Sequence, residues 1–164
     1  MNEQRRAIFN TLYTEYNSMV LQLCLGFMNG DRNLATDLMQ DIFINIWNAL
    51  PGYRAEATHK TWIYRITVNT CLQYIRKQKN KKNIPAEGPG AAILAAGETV
   101  PAAEYDDLYK AISQLSDVDR LIIMMVLDEM EYEEISKITG ISNATLRVKI
   151  HRIKERLKKI MEHE

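Results

Sequence analysis

The stretch 83–104, NIPAEGPGAAILAAGETVPAAE, constrains this chain more than any other. Pro85, Pro89 and Pro101 interrupt backbone pairing and Gly88, Gly90 and Gly97 loosen it, so no continuous helix runs through. Its alanines supply too little apolar surface for a core of their own. The stretch reads as a flexible linker, and the chain divides into a unit at 5–82, the linker at 83–104 and a unit at 105–164. A length of 164 residues suffices for one ordinary domain or two small ones. No internal repeat is evident.

Both halves carry apolar residues at spacings of three and four, and neither sustains the alternation of a half-buried strand, so the fold class is all-α: two small helical domains. The pattern predicts helices at 5–28, 32–50, 60–81, 105–114, 117–130, 132–139 and 143–161. Gly30-Asp31 and Pro51-Gly52 supply stops, and Ser116 is placed to cap the helix beginning at Asp117. No apolar run approaches the roughly 20 residues of a membrane span. The N-terminal residues lack the uninterrupted apolar segment of a secretory leader, and a cytoplasmic location is expected. Cys24 and Cys71 fall inside helical apolar patterns without CxxC spacing, which predicts buried free thiols in a reducing compartment.

Lysine plus arginine equals aspartate plus glutamate at 21 each, but the charges are unevenly spread. Positions 1–82 hold eleven basic and six acidic side chains, and 145–159 hold seven basic residues against Glu155 alone. Two basic surfaces follow, each able to attract a polyanion in a chain with no net charge. The second lies in a helix-turn-helix pattern. At 132–157 a short helix runs into Gly140, suited to a positive φ. Ile141 is placed to fill the angle between helices, and Ser142 to accept a hydrogen bond from a backbone N–H near Thr145. Leu146, Ile150, Ile153, Leu157 and Ile160 share one face of the second helix, the core face. Ala144, Arg147, Val148, His151 and Arg152 lie opposite, with Thr145 and Lys149 beside them. Small residues at a helix start followed by cations suit entry into a major groove. A basic helix by itself fits a solvated amphipathic face as well; the preceding helix and turn favour duplex DNA.

The 60–82 segment, KTWIYRITVNTCLQYIRKQKNKK, has two unlike faces. Tyr64, Val68, Cys71, Leu72 and Ile75 make an apolar one; Trp62, Arg65, Asn69, Gln73 and Arg76 make the other, followed by lysines. A ring, amides and guanidinium groups in one stripe suit unpaired bases, which stack while cations follow the backbone. The same residues also fit a Trp62 turned into the core and a basic helix end that complements the macrodipole. In the preceding helix Leu34, Leu38, Met39, Ile42 and Ile46 form the core side. Asp37, Gln40, Asp41, Ile44 and Asn48 lie on the reverse with Trp47 at the margin. Ile44 among carboxylates reads either as a protein-binding surface for a basic partner or as an isolated exposed apolar residue.

In this order the segments resemble the extracytoplasmic-function class of bacterial RNA polymerase sigma factors. DLMQDIFINIW at 37–47 is similar to the family segment that grips the clamp helices of the polymerase β′ subunit. YRAEATHKTWIYRITVN at 53–69 resembles the part that recognises and melts the minus-ten element, and 115–157 the part that reads the minus-thirty-five element. The resemblance implies that Asp37, Gln40, Asp41, Ile44 and Trp47 bind core polymerase. Arg54, Glu56, Ala57, Thr58 and His59 would form the loop that accepts a flipped base, with Trp62, Arg65, Asn69 and Arg76 along the strand. Thr145, Arg147, Lys149, His151 and Arg152 would hold the upstream duplex. Many members carry Asp where Gln73 stands, a small or basic residue in place of Val148 and Gly in place of Ala144. The partners implied are core RNA polymerase, promoter DNA and an anti-sigma factor. No cofactor or metal is expected, nor an enzyme: no nucleophile–base pair, metal cluster or phosphate-cradling glycine loop is visible. A conventional helix-turn-helix regulator would account for the C-terminal unit but leaves the Trp62 stripe and the Asp37 surface unused.

Overall fold

The computed structural model describes residues 2–82 and 106–163, and every regular element among them is helical. The linker expected at 83–104 lies outside the described residues. The N-terminal unit comprises α1 (Asn2–Phe27), α2 (Arg32–Ala49), a 3-10 turn (Leu50–Gly52) and α3 (His59–Lys82). The C-terminal unit comprises α4 (Asp106–Ser113), α5 (Asp117–Leu127), α6 (Tyr132–Thr139) and α7 (Asn143–Glu162).

The expected stops operate through identifiable hydrogen bonds. After α1, Asn29 (φ 60°) and Gly30 (φ 82°) turn left-handed, the Gly30 N–H reaches back to the Leu25 carbonyl at 2.8 Å, and the Asp31 carboxylate caps α2 by accepting from the Leu34 N–H. Ser116 caps α5 through the Asp119 N–H as expected. That helix ends at Leu127, three residues before the apolar pattern does. Glu129 adopts φ 60° and the Met130 N–H bonds the Met125 carbonyl at 3.1 Å, a helix-terminating turn that returns Met130 to the core. Periodicity alone does not separate a buried residue on a helix from one folded back beyond its end.

Leu12, Leu23, Ile42, Ile46, Ile63 and Val68 fill the centre of the N-terminal unit; Ile112, Leu121, Ile135, Leu146, Ile150 and Ile153 fill that of the other. These interiors are continuous with each other. α1 packs on α5, and α3 packs on α6. Where α1 meets α5, Gly26 is buried and the Met124 side chain fills the space that a Cβ there would take. Beside it the Arg120 guanidinium lies 5.4 Å from the centre of the Phe27 ring. At the other end of the seam the Tyr64 hydroxyl donates to Asp128, whose carboxylate also lies 3.5 Å from Lys60 Nζ. Cys24 and Cys71 are free and buried, as their apolar setting predicts. No described helix is long and apolar enough to cross a membrane.

Candidate nucleic-acid and protein interfaces

Helix α7 is built for presentation. Gly140 takes φ 77° as the left-handed cap of α6, and the Ser142 hydroxyl accepts from the Thr145 N–H at 3.3 Å. Ser136 Oγ donates to the Ile141 carbonyl, tying the turn to α6. Leu146, Ile150, Ile153 and Leu157 are buried and Ile160 partly so, which turns Thr145, Arg147, His151 and Arg152 to solvent. Ala144, Thr145, Val148, Lys149 and Arg152 line one shallow concavity. Val148 is 53% exposed, so an apolar side chain stands in the middle of this cationic face. Lys149 differs from its neighbours: it is half-buried, with Nζ 3.6 Å from Asp119 Oδ1 of α5. Arg147 lies 6.0 Å from the centre of the Tyr132 ring.

The second site starts in the loop before α3. Ala55 holds φ 58°, and Arg54, Glu56 and Thr58 are exposed, with Ala57 and His59 half-buried. Thr58 Oγ1 accepts from the Thr61 N–H at 3.2 Å, anchoring the loop to the helix start. Tyr53 organises the remainder: its hydroxyl donates to the Ala57 carbonyl at 2.6 Å, and its ring sits 4.8 Å from His59 and 4.9 Å from Trp62. Sequence reasoning did not single out this role for Tyr53; an aromatic residue opening a loop that closes on another aromatic is the pattern that points to it. Trp62 packs on the core yet is only half-buried, so part of its ring faces solvent. Arg65 is half-buried with Nε shielded from solvent and unpaired, whereas Asn69, Gln73 and Arg76 are exposed further along the stripe.

The third surface lies on α2. Burial of Ala35, Leu38, Ile42, Phe43 and Ile46 leaves Asp37, Gln40, Asp41 and Ile44 outward, with Ile44 57% exposed and Trp47 half-buried at the end of the row. Asp41, Ile44, Gln73, Lys77 and Lys81 line a hollow between α2 and α3. Among the described residues no cluster of three metal-ligating side chains occurs.

Two helical units, one carrying an acidic and apolar ridge beside a polar-aromatic stripe and the other a helix-turn-helix with an exposed cationic face, make up a helical protein of the DNA-binding class. Residues 12–81 match the family model of Sigma-70 region 2, and 105–157 match that of Sigma-70 region 4. The chain is 29% identical over 157 residues to the ECF RNA polymerase sigma factor SigW of Bacillus subtilis, covering 88% of this chain and 83% of that protein. It is 28% identical over 161 residues to the ECF RNA polymerase sigma-E factor of Escherichia coli K12, covering 90% and 83%. The fold is shared with the sigma factor RpoE from Bartonella quintana, solved with the anti-sigma factor NepR (TM-score 0.70, 19% identity, 91% of this chain and 95% of that one). It is shared also with CnrH, solved with the cytosolic domain of CnrY (TM-score 0.68, 17% identity, 97% and 90%). The chain belongs to the ECF-type sigma-70 family, whose members direct RNA polymerase to promoters and are not enzymes. A conventional helix-turn-helix regulator is set aside by the region 2 match.

Proposed function

We propose that the three surfaces divide the work of initiation. The unit at 5–82 binds core polymerase through Asp37, Gln40, Asp41, Ile44 and Trp47. It captures the minus-ten strand through Arg54, Glu56, Ala57, Thr58 and His59, with Trp62, Arg65, Asn69 and Arg76 along the strand. The unit at 105–164 anchors the upstream duplex with Thr145, Arg147, Lys149, His151 and Arg152. The carrying observation is the α2 ridge: Asp37 and Asp41 lead up to a 57% exposed Ile44 on a helix whose other side is core, a surface suited to a basic, partly apolar protein partner. Extruding a base costs a few kcal/mol of stacking, and the Tyr53 and Thr58 hydrogen bonds that tie the loop down without DNA would lower the cost of capture. Work on promoter DNA with polymerase implies a cytoplasmic location. The related structure of RpoE held by the anti-sigma factor NepR supports an anti-sigma factor as a further partner.

Reconstituted transcription tests this reading: core polymerase with this protein initiates at a subset of promoters and does not without it. Asp41→Arg weakens core binding while sparing duplex binding, and Arg147→Ala does the reverse. If both changes moved DNA binding alone, the α2 assignment would be lost. The free protein binds duplex weakly, because α7 offers few phosphate contacts, and that binding falls further as salt is added.

A further inference from the structure

The N-terminal turns of α1 lie before the part of the chain that matches region 2, yet they hold the end of the α2 ridge. The Arg5 guanidinium stacks over the Trp47 ring with Cζ 4.1 Å from its centre, and Nη2 of the same group donates to the Trp47 carbonyl. Phe9 meets the Trp47 ring edge-on at 5.3 Å and 86°, and is itself braced at 6.1 Å and 89° by Phe43, which is buried. The indole is thus fixed from two sides while part of it stays open to solvent.

Arg5 answers a need of α2 rather than of α1. Helix α2 has no basic residue in its last turn, and Trp47 O is among the carbonyls that a helix end leaves without an intrahelical donor. A cation near the start of α1 opposes that helix's own dipole, so its placement makes sense through what it does 42 residues away. A guanidinium can stack on a ring and donate in its own plane at once; an ammonium cannot do both.

We infer that Arg5 is a positioning residue for polymerase binding, holding Trp47 as a preset anchor at the end of the Asp37–Ile44 row, and that the binding surface thereby extends onto the first turns of α1. This rests on the α2 ridge being the polymerase-binding surface. The preset ring lowers the ordering cost that a mobile indole would bring to the interface.

The test is a double-mutant cycle on the full chain, titrated against core polymerase, with both tryptophans labelled as 5-fluorotryptophan and the Trp47 resonance assigned from Trp47→Phe. Arg5→Ala is expected to move or broaden the Trp47 resonance, leave that of Trp62 in place, and weaken core binding about tenfold. Arg5→Lys recovers part of the affinity. In a Trp47→Ala background Arg5→Ala costs little further, which a merely stabilising role would not produce. Full additivity of the two losses, or unchanged binding by Arg5→Ala while Asp41→Arg and Trp47→Ala both weaken it, overturns the inference and leaves the ridge assignment standing. Unchanged binding by Asp41→Arg and Trp47→Ala overturns both.

Discussion

The Tyr64 hydroxyl, buried on α3, donates to the Asp128 carboxylate at the corner between α5 and α6, so a hydrogen bond to a charged group between residues 64 apart in sequence joins the two units. Lys60, one turn before Tyr64, reaches the same carboxylate. Asp128 is about one-third exposed, which leaves it solvated by water and Lys60 if the phenol is removed. Tyr64→Phe is therefore expected to weaken the seam by about 1–2 kcal/mol rather than by the full cost of an orphaned charge. Denaturant unfolding together with the radius of gyration from solution scattering checks this. An unchanged midpoint and an unchanged radius would show that the bond contributes nothing to the seam.

Burial first, and then the bond to Asp128, pushes the Tyr64 hydroxyl well above its ordinary value of 10.0; burial pushes the Cys24 thiol from 9.0 up to about 12, and raises Cys71 as well. Each group is held protonated in the folded state, so its contribution is complete below the unfolded value and is lost as pH rises toward the folded one. Stability should accordingly begin to fall above about pH 9 and fall faster above about pH 10. Thermal melting across pH 8–11 should show Cys24→Ala with a shallower early decline and Tyr64→Phe with a shallower late one. Parallel curves for wild type and both variants would refute the assignment.

The same burial governs thiol chemistry. Cys24 and Cys71 are each fully enclosed, and the thiolate is the reactive form. A chromogenic disulfide reagent at pH 8 should label neither in the native protein and both in urea. Rapid labelling without denaturant would mean that the α1–α3 core opens readily.

On α7 the Lys149 ammonium is shared with Asp119, unlike the exposed Arg147 and Arg152. Asp119→Asn removes a competing carboxylate while keeping the backbone N–H that Ser116 caps. Duplex affinity at low salt should rise about threefold, with a salt slope steeper by up to about one unit. Fluorescence anisotropy over a salt series measures both, and weaker binding would show that the pair orients Lys149 productively.

Tyr53→Phe removes the 2.6 Å bond to the Ala57 carbonyl but keeps the ring against His59 and Trp62. Loss of that anchor should slow promoter opening several-fold, since the loop must then be ordered by the strand itself, and leave upstream duplex binding unchanged. Permanganate reactivity of unpaired thymines reports opening. An effect confined to duplex binding would remove the loop from the minus-ten assignment.

Much of this molecule is local information. The helices, the Gly30-Asp31 break, the Ser116 and Ser142 caps, the left-handed Gly140 and the buried row from Leu146 to Leu157 all follow from residue spacing, because capping and amphipathic burial act within a few turns of chain. The outward placement of Asp37, Gln40, Asp41, Ile44 and Arg147 was legible for the same reason. Other features needed the fold. The early end of α5 depends on Met130 turning back into the core, and the state of Lys149 depends on Asp119 arriving from another helix. Arg5 and Trp47, Tyr64 and Asp128, Gly26 and Met124 are pairs between distant segments, chosen by how whole helices dock. The sequence by itself determined two helical units and the chemistry on their faces; only the tertiary structure decided which side chains hold those faces in place and how the units meet, because such contacts depend on shape across the chain and leave no periodic trace along it.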